Sequence, residues 1–222
     1  MSPTDAFVGQ ATPTDSASEL SALSFVIRQH LAGVRTAMLV IVKAVTNNGG
    51  LTPVGTVDVQ PLVHQVDGIG NIVEHGTVYG MPYMRIQGGT NAVIMDPQVG
   101  DIGLAIMADR DISAVKATKA SAAPASSRKF SFSDGLYLGG FLNGTPQQYV
   151  QFNAGGITVV SPTAIDIKAP TITLDGAVHV TGAQTNDSTI VAQGDVKGQG
   201  TSLHTHLTTG VTAGSGVSGV PQ

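Results

Sequence analysis

The sequence predicts an all-β chain: a short N-terminal helix, a small antiparallel barrel, and a β-shaft that three copies wind together. Three observations carry that expectation. Strand-like segments rich in β-branched residues follow one another from Thr36 to Ala108 with no helical pattern between them. Past Phe130, apolar residues recur in pairs at period two, each pair followed by a turn. Near the C-terminus stands His204-Thr205-His206, two imidazoles that an extended strand projects from one face.

Composition agrees with a β-structured assembly. Only 12% of the 222 residues are charged and 5% aromatic, against an ordinary charged share of roughly 25%. Thr, Ser, Asn, Gln and the 28 glycines must therefore make up the surface. A formal net charge of −4 and the absence of a basic patch argue against nucleic-acid binding. No cysteine is present, which removes disulfides and thiolate metal sites. Residues 1–20 have neither a basic start nor a continuous apolar core, so no secretory signal is expected. The longest apolar run, 37–42, is far short of the roughly 20 residues of a membrane-spanning helix. A chain soluble when made is expected.

Residues 1–18, rich in Thr, Ser, Pro and Asp, predict an irregular arm. Residues 19–115 predict the helix and barrel. Leu20, Leu23, Ile27 and Leu31 lie at helical spacing, with Ser16 or Ser18 available as the cap and Gly33 as the stop. Strands are expected over 36–44, 55–65, 75–84, 91–95 and 102–108. Turn clusters separate them, among them Asn47-Asn48-Gly49-Gly50 and Asp67-Gly68-Ile69-Gly70-Asn71. Five strands without intervening helices suit a partly closed OB-type barrel.

Residues 116–129 read as a connector, broken at Ala122-Ala123-Pro124-Ala125. The shaft is expected over 130–197. Its pairs are Phe130/Phe132, Leu136/Leu138, Ile157/Val159, Ile165/Ile167, Ile172/Leu174 and Val178/Val180. Each segment offers two inward side chains, too few for a globular core. A weak repeat, Ser161-Pro162-Thr163-Ala164-Ile165-Asp166-Ile167 echoed by Ala169-Pro170-Thr171-Ile172-Thr173-Leu174-Asp175, points to a solenoid or an intertwined fibre. One chain alone would need capping ends and larger inward residues. Three chains about one axis need only this thin stripe, which favours an intertwined triple-stranded β-helix of a homotrimer.

Residues 198–222 form the expected apex. Two imidazoles leave a transition metal mostly hydrated, whereas a threefold axis would bring two from each of three copies together.

Several segments, in order and spacing, resemble the central membrane-piercing spikes, or baseplate puncturing proteins, of Mu-like contractile-tailed phages. Val34-Arg35-Thr36-Ala37-Met38, Val57-Asp58-Val59-Gln60-Pro61-Leu62, Val99-Gly100-Asp101-Ile102-Gly103-Leu104 and Arg110-Asp111-Ile112 are similar to the N-terminal OB domain of that family. Ser202-Leu203-His204-Thr205-His206 resembles its apex motif. The resemblance covers the chain from about Leu20 onward. It implies a homotrimer with an OB collar, a β-helical shaft, and an apex closed by one iron ion per trimer. The implied ligands are His204 and His206 of each subunit. Six imidazoles suit octahedral divalent iron and are too many for structural zinc. Calcium or chloride near the apex is left open. The implied partners are the baseplate hub and tail tube, with the host outer membrane contacted mechanically and no small-molecule substrate. The implied location is the virion tail tip, after a soluble stage in the host cytoplasm.

Other readings are weaker. Thr201, Ser202 and Thr205 supply hydroxyls that would orient the imidazoles. Residues 207–222, mostly Gly, Ser, Thr and Val, must fold back or cover the tip. His179 is expected to face solvent; His30, His64 and His75 read as structural. Asp109-Arg110-Asp111 offers two carboxylates, but burial sufficient to tune a catalytic pair is not expected. Gly68-Ile69-Gly70 is a turn, and Gly216-Val217-Ser218-Gly219-Val220 lacks the second glycine of a hydrolase elbow. A non-enzymatic protein is expected. A metal-dependent hydrolase built on the His-Thr-His pair would need further ligands, yet no acidic residue follows Asp195. A receptor-binding tail fibre would carry aromatics near its tip, and none follows Phe152.

Overall fold

The computed structural model describes residues 11, 13–47, 49–67, 70–205 and 214. A short 3-10 helix, Pro13–Ser16, leads into α1, Glu19–Ala32. The Ser18 hydroxyl caps α1 by accepting the Ser21 N–H at 3.1 Å, and Gly33 ends it by donating to the His30 carbonyl. Arg28 reaches back to pair with Asp15. The apolar stripe of α1 is not covered, since Leu20, Leu23, Ile27 and Leu31 are all exposed.

The main sheet is built from β1 (Ala37–Val45), β2 (Thr56–Pro61), β5 (Val78–Pro82), β8 (Ile102–Met107) and β9 (Gly135–Gly140). Its antiparallel order is β5-β2-β1-β8-β9. The sheet curls into a half-barrel, and its two edges meet where Met84 N–H donates to the Tyr137 carbonyl at 2.8 Å, beside a parallel bridge between Tyr83 and Tyr137. Alternation sets the core. Val40 and Val42, Val57 and Val59, Ala105 and Met107 point inward at period two, joined by Met81, Tyr83 and Tyr137. Register shifts at Val42/Ala44, Val57/Val59 and Gly103/Ala105 supply the bends that a short curled sheet needs.

Gly103 is needed where β8 meets β9. A Cβ there would run into the Tyr137 ring and the Gly139 carbonyl oxygen. Tyr137 is 1% exposed, and burial pushes its phenol up to about 12, helped by the nearby Asp101 carboxylate. Its hydroxyl has no hydrogen-bond partner among the described residues.

Two expectations need correction here. Residues 91–95 do not supply the fifth strand: β7 (Asn91–Val93) pairs only with β6 (Ile86–Gly88), as an exposed hairpin outside the main sheet. The fifth strand is β9, which the sequence reading placed in the shaft. Asn91-Ala92-Val93 has one sizeable apolar side chain to bury, whereas β9 brings Tyr137 and the small Gly135 to the inner face. The register is also opposite to that expected, with Tyr137 facing in and Leu136 and Leu138 only half-buried, because a one-residue slip exchanges the faces of a strand. The barrel unit therefore extends past 19–115, and the expected connector 116–129 lies inside it.

Smaller elements fill the loops. β3 (Gln65–Val66) and β4 (Ile72–Val73) pair across a turn closed by Asp67, whose carboxylate accepts the Asn71 N–H at 2.8 Å. A helix not expected from sequence, α2 (Ser113–Thr118), opens the connector. After the half-barrel, β10 (Tyr149–Asn153) and β11 (Gly156–Val160) form a hairpin in which Val150 faces Val159 and Phe152 faces Ile157. All four of these side chains share one face, and all four are exposed.

The chain divides into two units, Met1–Pro162 and Thr163–Gln222. From Thr163 to Val196 the second unit has no helix or strand, and every residue is exposed. Ile165, Ile167, Ile172, Leu174, Val178 and Val180 are each more than half exposed. Regular pairing resumes only with β12 (Lys197–Gly198) and β13 (Thr201–Ser202).

Candidate metal centre

The β12–β13 hairpin carries the first of the two expected ligands. Lys197 pairs with Ser202 and Gly198 with Thr201, leaving a two-residue turn at Gln199 and Gly200. Both turn residues have positive φ, 50° and 86°, as a tight hairpin turn that follows the right-handed strand twist requires. The ladder is extended once by Leu203 N–H donating to the Val196 carbonyl at 2.8 Å.

Beyond the ladder, one hydroxyl holds the chain. Ser202 Oγ donates to Asp195 Oδ1 at 2.7 Å and accepts the backbone N–H groups of His204 and Thr205, at 3.1 and 2.9 Å. The sequence predicts that the nearby hydroxyls orient the imidazoles. Ser202 bonds instead to the His204 backbone, while the Thr201 backbone is part of the ladder. His204 is exposed, with its main chain fixed in this way. His206 lies outside the described residues, as does all of 207–222 except Gly214.

Among the described residues no group of three or more His, Asp or Glu side chains could hold a metal within one chain. The chemistry of His204 fits a first-row transition metal as one ligand of several, since a neutral imidazole nitrogen serves zinc, copper, iron and nickel alike.

The other histidines lie elsewhere. His30 is on the exposed side of α1, His64 is in an exposed loop, and His179 is exposed in the 163–196 segment. His75 stands edge-on to Phe132, with ring centroids 5.7 Å apart, and Arg35 stacks on the other contact of that ring at 4.3 Å.

The Asp109-Arg110-Asp111 triplet splits. Asp109 is exposed and only loosely paired with Arg110, at 3.6 Å. Asp111 is buried, contrary to expectation, and its partner is Arg128. Arg128 bridges Asp111 at 2.7 Å and the fully buried Asp134 at 2.6 Å, tying the end of the connector to the foot of β9. Hydrogen bonds from Ser113 and Ser126, then the Arg128 charge, hold the Asp111 carboxyl at about 2. Arg128 likewise holds Asp134 below the usual carboxylate range, with help from the Ile112 N–H. Both groups stay ionised at neutral pH, and Asp111 accepts on both oxygens. This is a clamp that closes the loop onto the barrel.

A second clamp has both of its partners shielded from solvent. Arg85 and Asp96 pair in a two-pronged contact, at 2.6 and 2.7 Å, with each side chain 3% exposed. Arg85 also donates to the carbonyls of Gly50 and Thr52, which fixes the β1–β2 loop. Neither clamp was read from the sequence. The only advance signal was the scarcity of charge, which makes each Asp and Arg in a β-rich stretch a candidate for a specific partner.

No protein-family model matches this chain, and no curated protein matches it either.

Proposed function

We propose that this chain is the subunit of a homotrimeric, non-enzymatic spike at the tip of a contractile phage tail, driven mechanically through the host outer membrane. The observation that carries the reading is the 163–196 segment. Its apolar pairs recur at period two, yet every one is exposed in a single chain. Its backbone also lacks a ladder. Backbone polar groups and apolar stripes of this length call for partners. Two further copies would meet both needs by interleaving three such segments into a triple-stranded β-helix.

The half-barrel supports the collar of that reading. Its strand order, with the edges meeting at Tyr83 and Tyr137, suits a five-stranded, partly open barrel of the OB type. The exposed face of the β10–β11 hairpin would offer a further apolar contact between copies. The exposed stripe of α1 would dock on the baseplate hub and tail tube. At the apex, His204 and His206 of three copies would hold one iron ion, whose contribution is to cross-link the three chains. The chain's own contribution is stiffness and a narrow tip.

A variant with His204→Ala and His206→Ala tests the apex and shaft separately. Its iron content is expected to fall to background while its mass in solution stays that of the trimer, because the shaft interface is untouched. Full iron content in the variant would remove the assigned ligands, and dissociation to monomers would move the main interface from shaft to apex.

A further inference from the structure

Ser202 sits at the centre of three hydrogen bonds, and two of them lie beyond the end of the β12–β13 ladder. Its hydroxyl proton goes to Asp195 Oδ1, which leaves the oxygen lone pairs for the N–H groups of His204 and Thr205. The hydroxyl is thereby oriented: with its proton committed to a carboxylate, Ser202 Oγ faces the following turn as an acceptor. The tight Gln199-Gly200 turn and the Leu203–Val196 bond hold the same hairpin on the other side. Asp195 is also the last acidic residue of the chain, and it is exposed. Its clearest assignment is to Ser202.

We propose that Asp195 and Ser202 are positioning residues for the His204 ligand, setting the backbone at His204 and Thr205 within each chain before the three chains share a metal. This inference rests on the metal reading of the apex given above. The physical reason is preorganisation: an imidazole on a loose tail must give up backbone freedom when it binds, and a chain already held by two hydrogen bonds gives up less. Groups that hydrogen-bond a ligating side chain directly alter affinity by about 10- to 100-fold, and a bond that fixes the ligand's backbone is taken to act on the same scale.

The test uses the full chain as its purified trimer. It titrates Co²⁺ into metal-free protein and follows the ligand-field absorption bands for affinity and geometry together. Ser202→Ala is expected to weaken Co²⁺ binding about 10- to 100-fold and to change the band pattern, with the trimer mass unchanged. Asp195→Ala should act in the same direction. Asp195→Asn keeps an acceptor for the Ser202 hydroxyl and should stay within about 3-fold of the wild type, and Ser202→Thr should restore the bands. A purely structural role for the hairpin would leave the bands alone. A second measurement needs no metal: amide hydrogen exchange at His204 and Thr205 should be slowed in the metal-free wild type and quickened in Ser202→Ala. Wild-type affinity and bands in both Ser202→Ala and Asp195→Ala would overturn the assignment while leaving the metal site standing. Failure of the wild type itself to bind Co²⁺ would overturn both.

Discussion

Ile172→Asp is expected to abolish the trimer at micromolar concentrations, while Thr173→Asp leaves it intact. Ile172 and Leu174 belong to the period-two stripe, and in the strand of the proposed shaft Thr173 between them would project to the opposite face. In the single chain Ile172 is 51% exposed, so an aspartate there has no fold to disrupt within one chain. In the proposed shaft the same substitution occurs three times around one axis. Three carboxylates would lose water beside one another, and each uncompensated buried charge costs several kcal/mol, roughly 3–5 by the measured cost of breaking buried pairs. Sedimentation mass is the readout. Equal trimer content in the two variants would show that the stripe does not face the axis, and loss in both would point to nonspecific damage.

The second large effect concerns the half-barrel. Gly103→Ala should lower its stability by about 3 kcal/mol, the upper part of the range for overpacked interiors. The added methyl meets the Tyr137 ring and the Gly139 carbonyl, and neither can move easily. Tyr137 is fully buried, and its own carbonyl makes the bond that joins the sheet edges. For a unit of this size the loss corresponds to roughly 6–12 °C in the thermal midpoint. Gly88→Ala is the control, because nothing lies within 4 Å of the added carbon and the backbone there needs no positive φ. Its midpoint should change little or rise slightly. Matching midpoints for the two variants would contradict the close approach of β8 and β9.

Local signals were legible in the sequence and distant pairings were not. Helix α1 could be read almost to the residue because Ser18 and Gly33 mark its ends chemically. Strands β1 and β2 could be read as strands because β-branched runs bounded by turn residues are a local signal. By contrast, whether Asn91–Val93 or Gly135–Gly140 completes the sheet depends on which one fits against β8 in space, which neither segment's own pattern states. Leu136 and Leu138 looked like an inward pair by periodicity alone, and the fit of Tyr137 over Gly103 reverses them. The Arg128 clamp was hidden for the same reason, since Arg110 stands next to Asp111 in sequence but Arg128 meets it in space. At the apex, His204-Thr205-His206 was visible as a donor pair. The role of Ser202 was not, because a hydroxyl's partner is set by the turn that precedes it.

In the proposed function, the exposed stripe, the absence of a ladder over 163–196 and the His204/His206 donor pair share one explanation, a threefold axis. Native mass and iron content measured on the same sample of the purified full chain test it most directly. A mass of three chains with one iron per trimer is the predicted result. A monomer carrying one metal ion per chain would contradict it.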